Sequence, residues 1–150
     1  MRFGNIQDIL DFAVKREEEA AAGYARMRAM ARAESQKELL GDLENEEKKH
    51  KELLLGLSGL KPETLDIKPV TDLKISDYTV DEPPGADMTF QDLLLLAAKK
   101  EQKAVELYAE LLGRAINPDH RKLFEFLMMQ EKGHKLKLES EYEKQVLSED

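Results

Sequence analysis

The sequence predicts an all-α fold, a four-helix bundle made of two antiparallel helical hairpins joined by a long crossover, and three observations carry that prediction. Apolar residues recur at helical spacing in four segments. Roughly thirty residues in the middle lack that spacing, and the two halves of the chain repeat each other at a constant offset. At 150 residues the chain is long enough for one domain with its own core, so residues 1–150 are read as a single bundle.

The first helix, about 5–32, places Ile6, Ile9, Ala13, Ala20, Tyr24, Met27 and Ala31 on one stripe, with Asn5 as its N-cap. The second, about 35–58, opens with Ser35 and Glu38 at capping-box spacing. It carries Leu39, Leu43, Leu53 or Leu54, and Leu57, and ends near Ser58-Gly59. From about 59 to 88 the chain holds Pro62, Pro69, Pro83, Pro84 and Gly85 and alternates weakly between Leu73 and Val80, which reads as a connector. The third helix, about 89–115, starts at Thr89 with Asp92 at the capping-box position and shows Leu93, Ala97, Ala104, Tyr108 and Leu111. The fourth, about 118–147, follows Asn117-Pro118, a cap with proline in the first turn, and shows Leu123, Leu127 and Leu138. Short turns within each pair and a long link between pairs make two hairpins.

A shift of 84 positions superimposes the halves without a gap. Gln7-Asp8 falls on Gln91-Asp92, Ala13 on Ala97, Lys15 on Lys99 and Tyr24-Ala25 on Tyr108-Ala109. Leu43 falls on Leu127, and Glu47-Lys48-x-His50-Lys51 on Glu131-Lys132-x-His134-Lys135. This is the pattern of a duplicated hairpin folded about a pseudo-twofold axis.

Composition narrows the functions. A net charge of -8 argues against nucleic acid and anionic membranes as partners and favours small cations. The absence of cysteine removes disulfides, thiolate metal sites and thiol nucleophiles, so any metal must be held by oxygen and imidazole. No charged-then-apolar leader precedes the first stripe and no run approaches the ~20 apolar residues of a membrane span, so a cytoplasmic location is expected.

Each stripe is interrupted by a glutamate: Glu17, Glu47, Glu101 and Glu131. His50 and His134 stand three residues after the second and fourth, on the same faces. A buried, unpaired carboxylate costs several kcal/mol against a total stability of only about 5–15 kcal/mol, so four of them must be neutralised. The basic residues beside them, such as Lys15-Arg16 and Lys48-Lys49, are expected mostly off the core face. Two divalent ions supply about four positive charges, and one imidazole for each ion completes a mixed oxygen and nitrogen set that suits iron, manganese or zinc better than calcium or magnesium. The other candidates have ordinary readings. His120 is expected to be exposed, Glu18, Glu19, Glu44 and Glu46 to be solvated, and Met128 and Met129 to fill the core.

A lone Glu on two helices and Glu-x-x-His on the other two resembles the ferritin-like di-iron and di-manganese carboxylate proteins. Over all four helices the chain is most similar to the rubrerythrin branch, through Glu17 with Tyr24, Glu47-x-x-His50, Glu101 with Tyr108, and Glu131-x-x-His134. The resemblance implies that Glu47 and Glu131 bridge two iron ions, that Glu17 and Glu101 are terminal ligands, and that His50 and His134 complete the set. It also implies that Tyr24 and Tyr108 donate hydrogen bonds to the ligands. The implied activity is reaction with hydrogen peroxide or O2, with non-catalytic iron binding or storage as the alternative.

Two departures shape that expectation. Full-length rubrerythrins carry a cysteine-ligated iron domain, so this cysteine-free chain would draw on an external electron donor protein. Ala104 stands where peroxide-reducing members tend to have a further glutamate, giving a more symmetric site of the ferritin or bacterioferritin type. A homodimer is expected. A cage is not, because the sequence stops at Asp150 without the further short helix that ferritin cages use.

Overall fold

A computed structural model describes residues 1–82 and 87–148 of the protein. Pro83, Pro84 and Gly85, expected in the connector, lie outside the described residues. Four long helices dominate: α1 (Ile6–Met30), α2 (Glu34–Ser58), α4 (Phe90–Arg114) and α5 (Pro118–Ser148). A single turn, α3 (Pro62–Leu65), and a 3-10 turn (Ile75–Tyr78) punctuate the connector.

Three of the four expected starts are built as the sequence suggests. The Asn5 side chain accepts from Asp8 N at 2.9 Å. Thr89 and Asp92 form a reciprocal capping box, and Asn117 Oδ1 accepts from Asp119 N at 2.8 Å, one residue after Pro118. The second start differs. Extended backbone at Ala33 begins α2 at Glu34, so Ser35 lies inside the helix and Gln36, not Glu38, accepts from Ala33 N at 3.5 Å.

The helices pair as α1 with α2 and α4 with α5. Cross-bundle contacts fix the rest: Tyr24 meets Glu101 and Tyr108 meets Glu17, so α1 and α4 run antiparallel, while Gln36 meets Glu141 and Glu46 meets His134, so α2 and α5 do too. The connector therefore runs the length of the bundle to bring α4 parallel to α2.

The core has two apolar layers with a polar layer between them. One holds Ile9, Leu10, Leu54, Leu107, Leu111, Phe124 and Leu127, with Leu65, Val70 and Leu73 of the connector pressed into it. The other holds Met27, Leu40, Leu43, Leu94, Ala98 and Leu138. The stripe choices resolve by burial: Leu54 is inside and Leu53 outside, and Leu40 and Leu43 are buried more fully than Leu39.

No strand forms between Leu73 and Val80. Isolated bridges join Arg2 to Lys74 and Ile67 to Ala115, and the segment turns into the 3-10 helix after Lys74. The N-terminal residues offer it too few backbone partners for a ladder: Phe3 N donates to Leu73 O, and Ile75 N to Met1 O. Farther back, Arg114 grips the connector with bonds to Pro69 O at 2.5 Å and to both Asp72 carboxylate oxygens at 2.6 and 2.8 Å. Asp66, at φ 45°, takes the left-handed conformation that ends α3.

His120 corrects another expectation. It is buried, and its Nδ1–H donates to Leu65 O at 3.0 Å. The α3 turn covers the start of α5, which the spacing around Asp119 could not reveal.

Candidate metal centre

Glu17, Glu47, Glu101 and Glu131 are fully buried in the middle of the bundle, and His50 and His134 are nearly so. Helical periodicity puts them there: each glutamate replaces a core residue on its stripe, and each histidine adds one turn of reach on α2 or α5. The six form two overlapping groups, Glu17, Glu47, His50 and Glu131, and Glu47, Glu101, Glu131 and His134. In each group one ligand-type atom per residue lies within 4.8 Å of all the others. Glu47 and Glu131 belong to both groups.

One buried atom of every residue in the set lacks a hydrogen-bond partner: Glu17 Oε2, Glu47 Oε1, His50 Nδ1, Glu101 Oε2, Glu131 Oε1 and His134 Nδ1. Several of these atoms are close to one another, such as His134 Nδ1 and Glu47 Oε1 at 2.9 Å and His50 Nδ1 and Glu131 Oε1 at 3.3 Å. They converge without being aligned as hydrogen bonds. Native interiors leave few buried polar atoms unpaired; these six, with Arg16 Nη2 beside them, form a group that could hold a metal ion, and mixed carboxylate and imidazole donors suit transition metals.

The second oxygens of the terminal glutamates are taken. Tyr24 Oη donates to Glu101 Oε1 and Tyr108 Oη to Glu17 Oε1, each at 2.5 Å, so each half's tyrosine orients the other half's glutamate. Burial, and then the facing carboxylates, push both phenols well above their ordinary range, which keeps them donors.

Arg16 was expected off the core face and is not. Only 13% of its side chain is exposed, and the guanidinium sits among all four carboxylates: Nη1 lies 2.6 Å from Glu47 and 3.3 Å from Glu17 and also bonds Glu131, and Nη2 is 2.9 Å from Glu101. Position 16 flanks the stripe, four residues before Ala20, and the long arginine stem carries the charge inward. The repeat partner, Lys100, instead turns outward and pairs with Glu82.

Glu46 was also missed. It was read as solvated, yet Oε2 bonds His134 Nε2. That contact crosses from α2 to α5, so no spacing along one helix signals it; the aligned position in the other half is Gln130.

Protonation follows from this crowding. Burial would lower both imidazoles, but the carboxylates around them win: Glu131, Glu17 and Glu47 push His50 up to about 12, and Glu131 with Glu101 and Glu46 raises His134 to about 9. Burial raises Glu101 to about 8 despite Arg16, and raises Glu47 well above the carboxylate range with help from the charges of Glu101 and Glu131. Glu131, which burial also penalises, is held low by Arg16 and both histidines.

A four-helix bundle whose central layer is four glutamates and two histidines, shared between two overlapping groups, defines the class of ferritin-like carboxylate proteins. The rubrerythrin family model matches residues 59–142, which include Glu101, Glu131 and His134, and the chain belongs to that family. Solved structures agree. A hypothetical protein from Pyrococcus furiosus is 28% identical over 91% of this chain and 87% of its own, with a TM-score of 0.74. A protein from Thermotoga maritima, described as a candidate ferritin-like diiron-carboxylate protein, is 24% identical over 95% of this chain and 97% of its own, with a TM-score of 0.78, and shows the shared fold. No curated protein sequence matches the chain.

Proposed function

We propose that the cluster holds two iron ions and reacts with hydrogen peroxide or O2, a function in oxidative-stress protection. The observation that carries this reading is the set of six unpartnered atoms, one from each of Glu17, Glu47, His50, Glu101, Glu131 and His134. Glu47 and Glu131, common to both groups, would serve both ions, with Glu17 and His50 completing one set and Glu101 and His134 the other. The iron pair, when bound, supplies one electron from each ion for reduction of the oxygen-oxygen bond.

The chain's own residues prepare the site. Glu46 fixes the His134 ring through Nε2, so His134 would offer Nδ1 to an ion once the proton on that nitrogen leaves. Tyr24 and Tyr108 hold Glu101 and Glu17 by one oxygen and leave the other free. The apolar layers above and below exclude water from the carboxylates. On the same reading the reductant is an external electron donor protein and the protein works in the cytoplasm as a homodimer.

Elemental analysis should find two metal ions per chain. Ferrous-loaded protein should then consume hydrogen peroxide or O2, and Glu47→Ala should lose both the second ion and the consumption. Stoichiometric loading with no oxidant consumed would overturn the redox reading in favour of storage.

A further inference from the structure

A cavity of about 620 Å3 lies between α1, α4 and the connector around Tyr78 and Val80, where the two helices approach each other far less closely than helices within a hairpin do. Its size falls in the range of small-molecule sites, about 300–1,000 Å3. Arg16, Tyr24 and Glu101 are part of its wall, so it borders the carboxylate cluster. Peroxide or O2 alone needs no such space.

The wall of the cavity combines cations with apolar side chains. Tyr24 facing Glu101 sets the register of α1 against α4. To one side of that pair lie Met27, Met30, Leu93 and Leu96 together with Arg26; to the other lie Phe12 and Lys15, with Lys103 close to the level of Gly23. Arg16 and Lys100 in the wall are neutralised, by the cluster and by Glu82. Lys15 and Arg26 make no hydrogen bond or ion pair among the described residues, and Lys103 has only Glu106 at 3.9 Å. Against these, Glu19 is the one wall carboxylate without a partner among the described residues. A basic cavity with apolar side chains in its wall, in a chain of net charge -8, is complementary to an anion with a hydrocarbon body.

Gly23 adds an independent observation. Glycine inside a helix is costly, and here neither backbone nor crowding requires it: a Cβ would meet nothing closer than Arg26 Nη2 at 3.8 Å. The volume it leaves belongs to the cavity.

We propose that this cavity binds an amphipathic organic anion, a medium-chain carboxylate whose headgroup is drawn by Lys15, Arg26 and Lys103 and whose chain lies against the apolar wall beside Gly23 toward Met30 and Leu93. The helical rise from Gly23 to Met30 gives that chain about 10 Å to occupy. The site stands on the cavity and its charges, whatever metal the cluster holds.

The test is titration of the protein, as purified, with decanoate, hexanoate and decyltrimethylammonium, followed by calorimetry and saturation-transfer NMR. Decanoate should bind at one saturable site about tenfold or more tighter than hexanoate, and the cation of equal length should not compete. Gly23→Leu should weaken decanoate about tenfold or more without lowering thermal stability or metal content, and Lys15→Glu with Lys103→Glu should weaken it as well. Equal binding of anion and cation would overturn the proposal, as would undiminished binding by Gly23→Leu. A dimer that Gly23→Leu dissociates would overturn it too, by giving the groove to a second copy. None of these outcomes touches the assignment of the metal ligands.

Discussion

Replacing Arg16 with glutamine should destabilise the metal-free protein and tighten metal binding at the same time. Among the described residues this guanidinium is the one permanent cation in contact with all four buried carboxylates. Breaking a buried ionic contact from one side costs about 3–5 kcal/mol. The lower end applies here, because Glu47 and Glu101 are already driven toward the protonated form and protons can take over part of the neutralisation. A loss of about 3 kcal/mol in a chain of this size lowers the melting temperature by roughly 6–12 °C.

On the proposed reading metal ions take the same carboxylates, so Arg16 would withdraw when they bind and contribute little to the loaded state. By the thermodynamic cycle, whatever the substitution costs the metal-free state appears as a gain in metal affinity, about 3 kcal/mol or roughly a hundredfold. Circular dichroism melts of metal-free protein and zinc competition against a chromophoric chelator measure the two sides. Wild-type stability without metal, or unchanged or weaker zinc binding, would refute the reasoning.

Other expectations follow from the same contacts. His50 at about 12, His134 at about 9 and Glu101 at about 8 all bind protons in the metal-free fold at neutral pH. Their folded values lie above the unfolded ones, so the stability they confer is present at low pH and is lost as pH rises through about 8 and then about 9, while metal affinity, which requires those protons to leave, climbs with pH. Calorimetry in two buffers should count protons released on zinc binding; an affinity constant between about pH 6 and pH 8 would contradict this. Tyr24→Phe should weaken one of the two ions by about 10–100-fold and Tyr108→Phe the other, visible as a split in the binding isotherm; identical isotherms for both variants and wild type would remove the tyrosines from the site. Arg114→Ala should release the connector, which it ties at Pro69 and Asp72, so amide exchange at Leu73 and Ile75 should quicken while that of Leu107 and Leu111 does not change.

What was legible in the sequence was whatever a single helix's periodicity encodes. The apolar stripes, three of four caps and the interruption of each stripe by Glu17, Glu47, Glu101 or Glu131 are all local patterns, and the offset of 84 turned four weak signals into one strong one. Contacts made across helices were not legible. Glu46 reaches His134 from a neighbouring element, His120 is covered by a turn that lies 55 residues away, and Arg16 enters the core through the length of its side chain from a flanking position. At the start of α2 a local signal did mislead, because the helix begins at Glu34 and Ser35 lies inside it.

The duplication has kept the four glutamates and two histidines of the cluster and let their surroundings diverge, and charge explains why Arg16 and its repeat partner Lys100 part company. Arg16 already contacts all four buried carboxylates, and the same carboxylates drive His50 and His134 toward their charged forms. A second inward cation at position 100 would find no carboxylate to pair with and would bear the full cost of burial, so Lys100 turns out to Glu82 and helps to line the cavity instead. The consequence separates the pair by experiment. Lys100→Gln should leave the metal-free melting temperature near that of wild type where Arg16→Gln lowers it, and equal losses from the two would mean that the charge balance drawn for the cluster is wrong.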